Sequence, residues 1–143
     1  MQAGFAIVTV LVLGLIVWHQ QSGPDLGWED DLDAQLAQAR EADRPVLVFF
    51  SASPPSEAAR KLMRVSLRKQ MVAQPLKREN YIKVRTVVDR DLTEDLAVKY
   101  RLKELPTLMV LDPKGKEVGR LEGYAGETAI NELLKKIDRE SEE

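Results

Sequence analysis

The stretch from residue 44 to residue 62, RPVLVFFSASPPSEAARKL, decides the fold. Residues 46–50 form a continuous apolar run of strand length, which is typical of a strand buried on both faces. A turn rich in serine and proline follows, and Pro54 and Pro55 fix φ at two successive positions. Ser56 is a suitable residue to begin the helix that the next residues predict. The segment therefore predicts a central strand, a tight turn and a helix.

The rest of the chain predicts helices and strands that alternate. Apolar residues at helical spacing, such as Leu32, Leu36 and Ala39, predict helices over residues 28–42, 56–69, 70–80, 92–100 and 128–137. Apolar or alternating runs predict strands over residues 46–50, 81–88, 108–112 and 117–123.

This order predicts the fold class α/β. Two parallel strands joined by a crossover helix are followed by a hairpin, whose turn is Pro113-Lys114-Gly115-Lys116. Helices would then cover both faces of the sheet. We expect a three-layer α/β/α arrangement around a four-stranded mixed sheet.

Composition excludes several classes of function. The chain has 143 residues, 44% of them apolar, which suits one domain. A net charge of −2 gives no long-range attraction for nucleic acid, so no nucleic-acid partner is expected. The chain contains no cysteine, and its single histidine, His19, adjoins the apolar N-terminus. Thiolate chemistry, a His-based metal site and a catalytic triad are therefore excluded, and we predict no catalytic residue, metal or cofactor.

The N-terminus predicts a membrane anchor. Residues 3–18, AGFAIVTVLVLGLIVW, carry no charge, and at about 1.5 Å per residue they span roughly 24 Å as a helix. We predict an anchor over residues 1–19 that contacts the membrane through residues 3–18, and a polar linker over residues 20–27. The acidic residues that follow this linker favour a single-pass protein whose domain lies on the exported side of the membrane. A cleaved signal peptide is the alternative, but no small-x-small cleavage site follows the run.

Four local patterns resemble the thioredoxin superfamily. RPVLVFFSAS is similar to its central strand and active-site turn, and residues 81–121 are similar to the next strand, helix, V-x-x-x-P-T turn and hairpin. Gly123 and Tyr124 follow the hairpin as a family G-Y does, and a terminal helix completes the order. The resemblance covers about residues 28–137. We predict a thioredoxin-like domain over residues 28–138 and a charged tail over residues 139–143.

The resemblance implies that Leu105, Pro106 and Thr107 form the cis-proline loop. A cis X-Pro bond is a minority state that tertiary context must hold. In the family this loop offers an edge to which an extended peptide can pair. The alternative is a trans proline that simply begins a strand.

The predicted active-site turn departs from the family. Two alignments place the cysteine positions at Pro55 and Ala58 or at Ser56 and Ala59, and neither contains a thiol or the family's tryptophan. The position of the buried acid that relays a proton in many thioredoxins falls on Phe49 or Phe50. Thiol–disulfide exchange needs an attacking thiolate and a resolving thiol. We therefore predict that this activity is lost and that the chain is not an enzyme.

Other polar clusters have structural interpretations. Ser51, Ser53 and Ser56 lack a partner base, and Ser56 is better explained as a helix cap. The spacing of Arg60, Arg64 and Arg68 predicts a basic ridge, interpreted as a solvated face or, alternatively, as a docking surface for an acidic partner or lipid headgroups. The acidic cluster lacks the spacing of a calcium loop, and we expect a helix capped by Asp91 or Thr93. The cluster comprises Asp89, Asp91, Glu94 and Asp95.

The predicted function is recognition without redox chemistry. A membrane-anchored domain would hold an extended segment of a partner protein across the cis-proline loop and the serine–proline turn. An alternative is an accessory subunit of a membrane thiol–disulfide exchange or cytochrome-biogenesis system that acts with a cysteine-bearing partner, and a third possibility is a purely structural domain. The predicted binding residues are Ser53, Pro54, Pro55, Ser56, Leu105, Pro106 and Thr107.

Overall fold

The computed structural model describes residues 27–142. The strands are β1 (Trp28–Glu29), β2 (Val46–Ser51), β3 (Ile82–Val87), β4 (Thr107–Leu111) and β5 (Glu117–Glu122). The α-helices are α1 (Leu32–Ala42), α2 (Glu57–Arg64), α3 (Gln70–Arg78), α4 (Asp95–Lys99) and α5 (Glu127–Ser141), and a 3-10 helix spans Ser66–Arg68. The predicted anchor and residues 20–26 of the predicted linker lie outside the described residues. Within residues 27–142, no helix is both long enough and apolar enough to cross a membrane.

The five strands form one mixed sheet in the order β1-β3-β2-β4-β5. β3 is parallel to β1 and β2, whereas β4 is antiparallel to β2 and β5. The four predicted strands are therefore present in a mixed sheet, as predicted. The predicted number of strands was wrong, because β1 is a fifth strand. Trp28 and Glu29, predicted as the start of a helix, pair instead with Lys83 and Val84.

The first helix begins later than predicted because an acidic side chain caps it. The backbone N–H of Ala34 donates to a carboxylate oxygen of Asp31 at 3.1 Å, and α1 starts at Leu32. Trp28 and Glu29 precede this cap, so they are available to extend the sheet. A strand of two residues leaves too short a pattern for periodicity to reveal.

Two apolar cores flank the sheet, which confirms the α/β/α layering. β2 is buried along its whole length and supplies both cores. Leu47 and Phe49 pack with residues of α2, α3 and α5, whereas Val46, Val48 and Phe50 pack with residues of α1 and α4. Alternate side chains of a strand point to opposite faces, which explains this division. The central strand β2 therefore packs against helices on both faces of the sheet, and the serine–proline turn follows at its end.

Three other helices have bounds that differ from the prediction by more than two residues, and one of them is α4, which begins at Asp95 rather than at residue 92. The helix after the turn was predicted as far as residue 69, but α2 ends at Arg64 and the 3-10 helix follows. The break falls at β-branched Val65, which has φ −113° and ψ −66°. The last helix continues to Ser141, into the predicted charged tail.

Candidate functional site

The serine–proline turn connects β2 to α2 and is exposed to solvent. Ser53, Pro54, Pro55 and Ser56 are all exposed, and the bond between Ser53 and Pro54 is cis. Arg90 donates from its guanidinium group to the carbonyl oxygen of Pro54 at 3.1 Å. The loop after β3 therefore supports the turn from one side.

Ser56 is the N-cap of α2, as the sequence predicts. The backbone N–H of Ala59 donates to its hydroxyl oxygen at 3.1 Å, and Glu57 lies in the first turn. The hydroxyl thus acts as a hydrogen-bond acceptor for the helix start. Ala59 is buried and Ala58 is partly exposed, whereas Pro55 lies before the helix. In the second of the two alignments, the family's cysteine positions are therefore the cap and the buried residue one turn later.

The cis-proline loop precedes β4, and the bond between Leu105 and Pro106 is cis. This confirms the isomer that the resemblance implies. Pro106 and Thr107 are buried, whereas Leu105 is half-buried. Thr107 donates from its hydroxyl to the carbonyl oxygen of Glu104 at 2.7 Å, which closes the loop on itself.

A second loop holds the cis-proline loop in place. The backbone N–H of Gly123 donates to the carbonyl oxygen of Pro106 at 2.7 Å. Gly123 has φ +79°, a region that glycine adopts readily, and a Cβ there would lie 3.2 Å from the Glu104 carboxylate. The family-like G-Y pair after the hairpin therefore has a structural role that the sequence prediction left unassigned.

The register between β2 and β4 brings the serine–proline turn and the cis-proline loop to the same end of the sheet. Phe50 of β2 lies opposite Thr107 of β4, at the end of the antiparallel ladder. The turn leaves the sheet just after this pair, and the cis-proline loop enters just before it. The seven predicted site residues thus belong to two neighbouring segments at one end of the sheet.

Two backbone groups in this region have no partner among residues 27–142. Neither the N–H nor the C=O of Leu105 forms a hydrogen bond with another described residue. The adjacent backbone is occupied, because Pro106 accepts from Gly123. A donor and an acceptor on one half-buried residue match the pairing needs of an extended peptide.

Apolar packing occupies the space beneath the turn. Phe49 and Phe50 are both buried, and Phe49 makes an edge-to-face contact with Trp28 at a centroid distance of 6.4 Å. Phe50 packs on the other face against Tyr100. Neither candidate position for the family's buried acid can therefore carry a proton.

A neighbouring group of three side chains was not predicted as part of the site. The hydroxyl groups of Ser66 and Tyr124 lie 3.3 Å apart, and the ammonium group of Lys61 lies 5.0 Å from the centre of the Tyr124 ring. Tyr124 follows Gly123, and 45% of its surface is exposed. An exposed aromatic ring next to the loop is a suitable contact for a bound segment, and the family-like G-Y pair was the signal that pointed to it.

The acidic cluster orders the loop before α4, whose N-cap residue, Glu94, makes no capping hydrogen bond through its side chain to a described residue. Asp89 accepts from the hydroxyl and backbone N–H of Thr93 and from the backbone N–H of Glu94. The hydrogen bond from the Thr93 hydroxyl is the largest cause of a lowered Asp89 pKa, and the backbone N–H groups add to it. The prediction of Asp91 or Thr93 as the capping side chain was wrong. Among residues 27–142, no group of three or more acidic or histidine side chains is placed to hold a metal ion.

A family model for the thioredoxin-like domain matches residues 32–138. The chain belongs to this thioredoxin-like family. Within the family, it is 28% identical over 117 residues to the thioredoxin-related protein DsbJ of Chlamydia pneumoniae. That match covers 73% of this chain but only 32% of the relative, so the chain spans about a third of the length of DsbJ.

Solved structures of thioredoxin-like proteins share the fold. A thioredoxin from Thermus thermophilus is 25% identical with a TM-score of 0.62, and the match covers 79% of this chain and 88% of that one. The C-terminal domain of DsbD from Neisseria meningitidis, in its oxidised form, is 21% identical with a TM-score of 0.59. This second match covers 76% of this chain and 97% of the other. The chain differs from a working thiol–disulfide oxidoreductase in having no cysteine at all.

Proposed function

We propose that this thioredoxin-like domain binds an extended segment of a partner protein and performs no thiol–disulfide exchange of its own. The segment lies across Leu105, Pro106 and Thr107 and contacts the turn from Ser53 to Ser56. The observation that carries the proposal is the pair of unpartnered backbone groups on Leu105. The absence of cysteine from the sequence removes both the attacking and the resolving thiol.

The geometry supports pairing of one main chain with another. The loop is held by Thr107 and Gly123, so its conformation is set before a ligand arrives. A preorganised loop loses little conformational entropy on binding. The turn and the ring of Tyr124 are both exposed, so they are available to contact side chains of the bound segment.

Peptide selection followed by binding measurements tests this proposal. A displayed library of extended peptides is selected on the full chain in neutral detergent, and the Kd of the best peptide is measured by fluorescence anisotropy. We expect Pro106→Ala to weaken binding at least tenfold, because it removes the buried ring of Pro106 that packs beside Leu105 in the loop. Pro113→Ala, in the turn between β4 and β5, is the matched control and should bind as the parent does. Equal affinity of both variants would contradict the proposal.

The redox half of the proposal has its own test. The full chain is assayed for insulin reduction with dithiothreitol as the reductant. We expect the rate to equal that of dithiothreitol alone. Turnover above this background would refute the loss of redox activity, whatever the peptide measurements show.

An accessory role in thiol–disulfide exchange is the second candidate. The relation to DsbJ favours it, and the lack of cysteine requires that a partner supply the thiols. In this case, removing the chain from its membrane would slow disulfide exchange by a cysteine-bearing partner, and Pro106→Ala would reproduce that effect. An unchanged exchange rate would exclude this role.

We also propose that residues 3–18 tether the domain to a membrane on the exported side. The support is the uncharged run and the acidic flank after it. Alkaline carbonate should leave the full chain in the membrane pellet, and protease added from the exported side should digest the domain. Extraction into the supernatant would contradict the tether, and protection from the protease would contradict the orientation.

A further inference from the structure

A groove of about 1160 Å³ lies on the side of β2 away from the cis-proline loop. One wall comes from α2, the 3-10 helix and α3, and the other from β1 and β3. It begins beside the serine–proline turn and runs to Asn80 and Tyr81. We call it the basic groove. The lining of this groove includes Ser53 and Pro55 of the serine–proline turn, but the cis-proline loop lies outside it, since β4 is on the other flank of β2.

The floor of the basic groove is apolar and aromatic. Phe49, Leu67, Leu76 and Tyr81 are buried at its base, and half-buried Trp28 closes one side. Burial is the main cause that raises the pKa of Tyr81 to about 12, and nearby carboxylates add to the effect. The floor therefore suits an apolar side chain.

The walls of the basic groove concentrate positive charge. Among residues 27–142, its lining includes a single acid, Asp30, which lies 3.4 Å from the guanidinium group of Arg85. The whole chain has a net charge of −2, so this excess of cations is local. The cations of the lining are Arg60, Arg64, Arg68, Lys77, Lys83 and Arg85.

The cations on the helical wall are not neutralised by the described part of the chain. Arg60, Arg64, Arg68 and Lys77 are exposed, and none forms an ion pair with another described residue. The predicted basic ridge thus persists across the break between α2 and the 3-10 helix. A solvated face explains their exposure, but not their placement along one side of an apolar floor.

We propose that the basic groove binds an acidic segment of a partner protein that inserts an apolar side chain. The carboxylates of the segment pair with the guanidinium groups of Arg60, Arg64 and Arg68, whose planar shape suits carboxylates. Its apolar side chain occupies the floor between Phe49, Leu67 and Tyr81. A segment of protein fits this combination better than a flat membrane surface, because a flat surface would contact the rim and leave the floor empty.

Binding of designed peptides to the full chain in neutral detergent tests this proposal. The probe is a fluorescent peptide of alternating glutamate and leucine, and its controls replace every glutamate by lysine or every leucine by serine. We expect saturable binding of the probe, which weakens as salt is added, and at least tenfold weaker binding of both control peptides. Equal binding of the lysine peptide would overturn the proposal.

Charge-reversal variants locate the site. Arg60→Glu/Arg64→Glu should weaken binding of the probe at least tenfold, and the milder Arg60→Gln/Arg64→Gln should weaken it less. The matched control is Lys135→Glu/Lys136→Glu on α5, which changes the same charge outside the groove and should bind as the parent does. Equal effects of the two reversals would overturn the location.

A lipid headgroup is the competing occupant. Phosphatidylglycerol added to the detergent micelles should leave the Kd of the probe unchanged. Displacement of the probe by this lipid, with the same dependence on Arg60 and Arg64, would overturn the assignment to a protein segment. Arg60 and Arg64 are not among the residues proposed to bind a segment at the cis-proline loop, so dependence of probe binding on these two arginines distinguishes the two sites.

Discussion

Replacing Ser56 by alanine tests the interpretation of this serine as a helix cap. The substitution removes the hydroxyl that accepts from the backbone N–H of Ala59 at 3.1 Å. Loss of an N-cap of this type costs about 1 kcal/mol of folding free energy. For a domain of this size, we expect the Tm to fall by about 4 °C. The assay is thermal unfolding of the full chain in neutral detergent, monitored by circular dichroism.

Two further variants make this measurement specific. Ser56→Asp keeps a side-chain acceptor at the helix start and adds a favourable interaction with the helix dipole, so it should be at least as stable as the parent. Ser53→Ala changes an exposed hydroxyl that forms no hydrogen bond with a described residue, and its Tm should not change. The capping role of Ser56 would be refuted if Ser56→Ala had the same Tm as the parent, or if Ser56→Ala and Ser53→Ala lowered the Tm equally.

Three other predictions concern the same end of the sheet. Asp89→Asn should lower the Tm at pH 7, because the depressed pKa of Asp89 means that its charged form stabilises the fold. The difference in Tm between this variant and the parent should vanish as the pH falls from about 4 through the lowered pKa. A difference in Tm that persists in acid would contradict a stabilising role for the charged carboxylate. Gly123→Ala should lower the free energy of unfolding by about 1 kcal/mol, since the φ of Gly123 is +79°. Gly126 has φ −82°, and no described atom lies within 4 Å of a Cβ added there. Urea unfolding should therefore show a smaller loss of stability for Gly126→Ala. Ser56→Cys/Ala59→Cys should gain insulin reduction, because the helix start favours a thiolate, whereas Ser56→Cys alone should not. Equal rates would contradict the second of the two alignments, which places the family's cysteines at these positions.

The parts of the fold that sequence predicts well are those with a strong local pattern. The run at residues 46–50 predicts a buried central strand because every residue is apolar, and β2 is buried throughout. Ser56 comes directly before a helical pattern, and serine is a preferred N-cap residue, so its capping role could be predicted from the local sequence. The cis bond before Pro106 was obtained from the family resemblance instead, because no local pattern fixes the isomer of an X-Pro bond.

The features that sequence missed depend on distant contacts. β1 exists because Trp28 and Glu29 meet β3, more than fifty residues away, and two residues leave no period to detect. Asp89 was one of four acids in a short segment, and only the backbone geometry selects it as the acceptor from the N–H groups of Thr93 and Glu94. The basic groove likewise needs the three-dimensional arrangement. The arginines of the ridge are visible in sequence, but their position beside Phe49 and Tyr81 is not.

Crosslinking at Leu105 tests whether this residue contacts an extended segment of a partner protein. A photoreactive phenylalanine analogue replaces Leu105 in the full chain, which keeps the backbone N–H and C=O that the account assigns to binding. Irradiation of cells that contain this variant should give one protein adduct, which mass spectrometry maps to an extended segment of the partner and which Pro106→Ala abolishes. The same analogue at Lys114, in the hairpin turn, should give no such adduct. Failure to form the adduct at Leu105, or equal formation at both positions, would contradict the account.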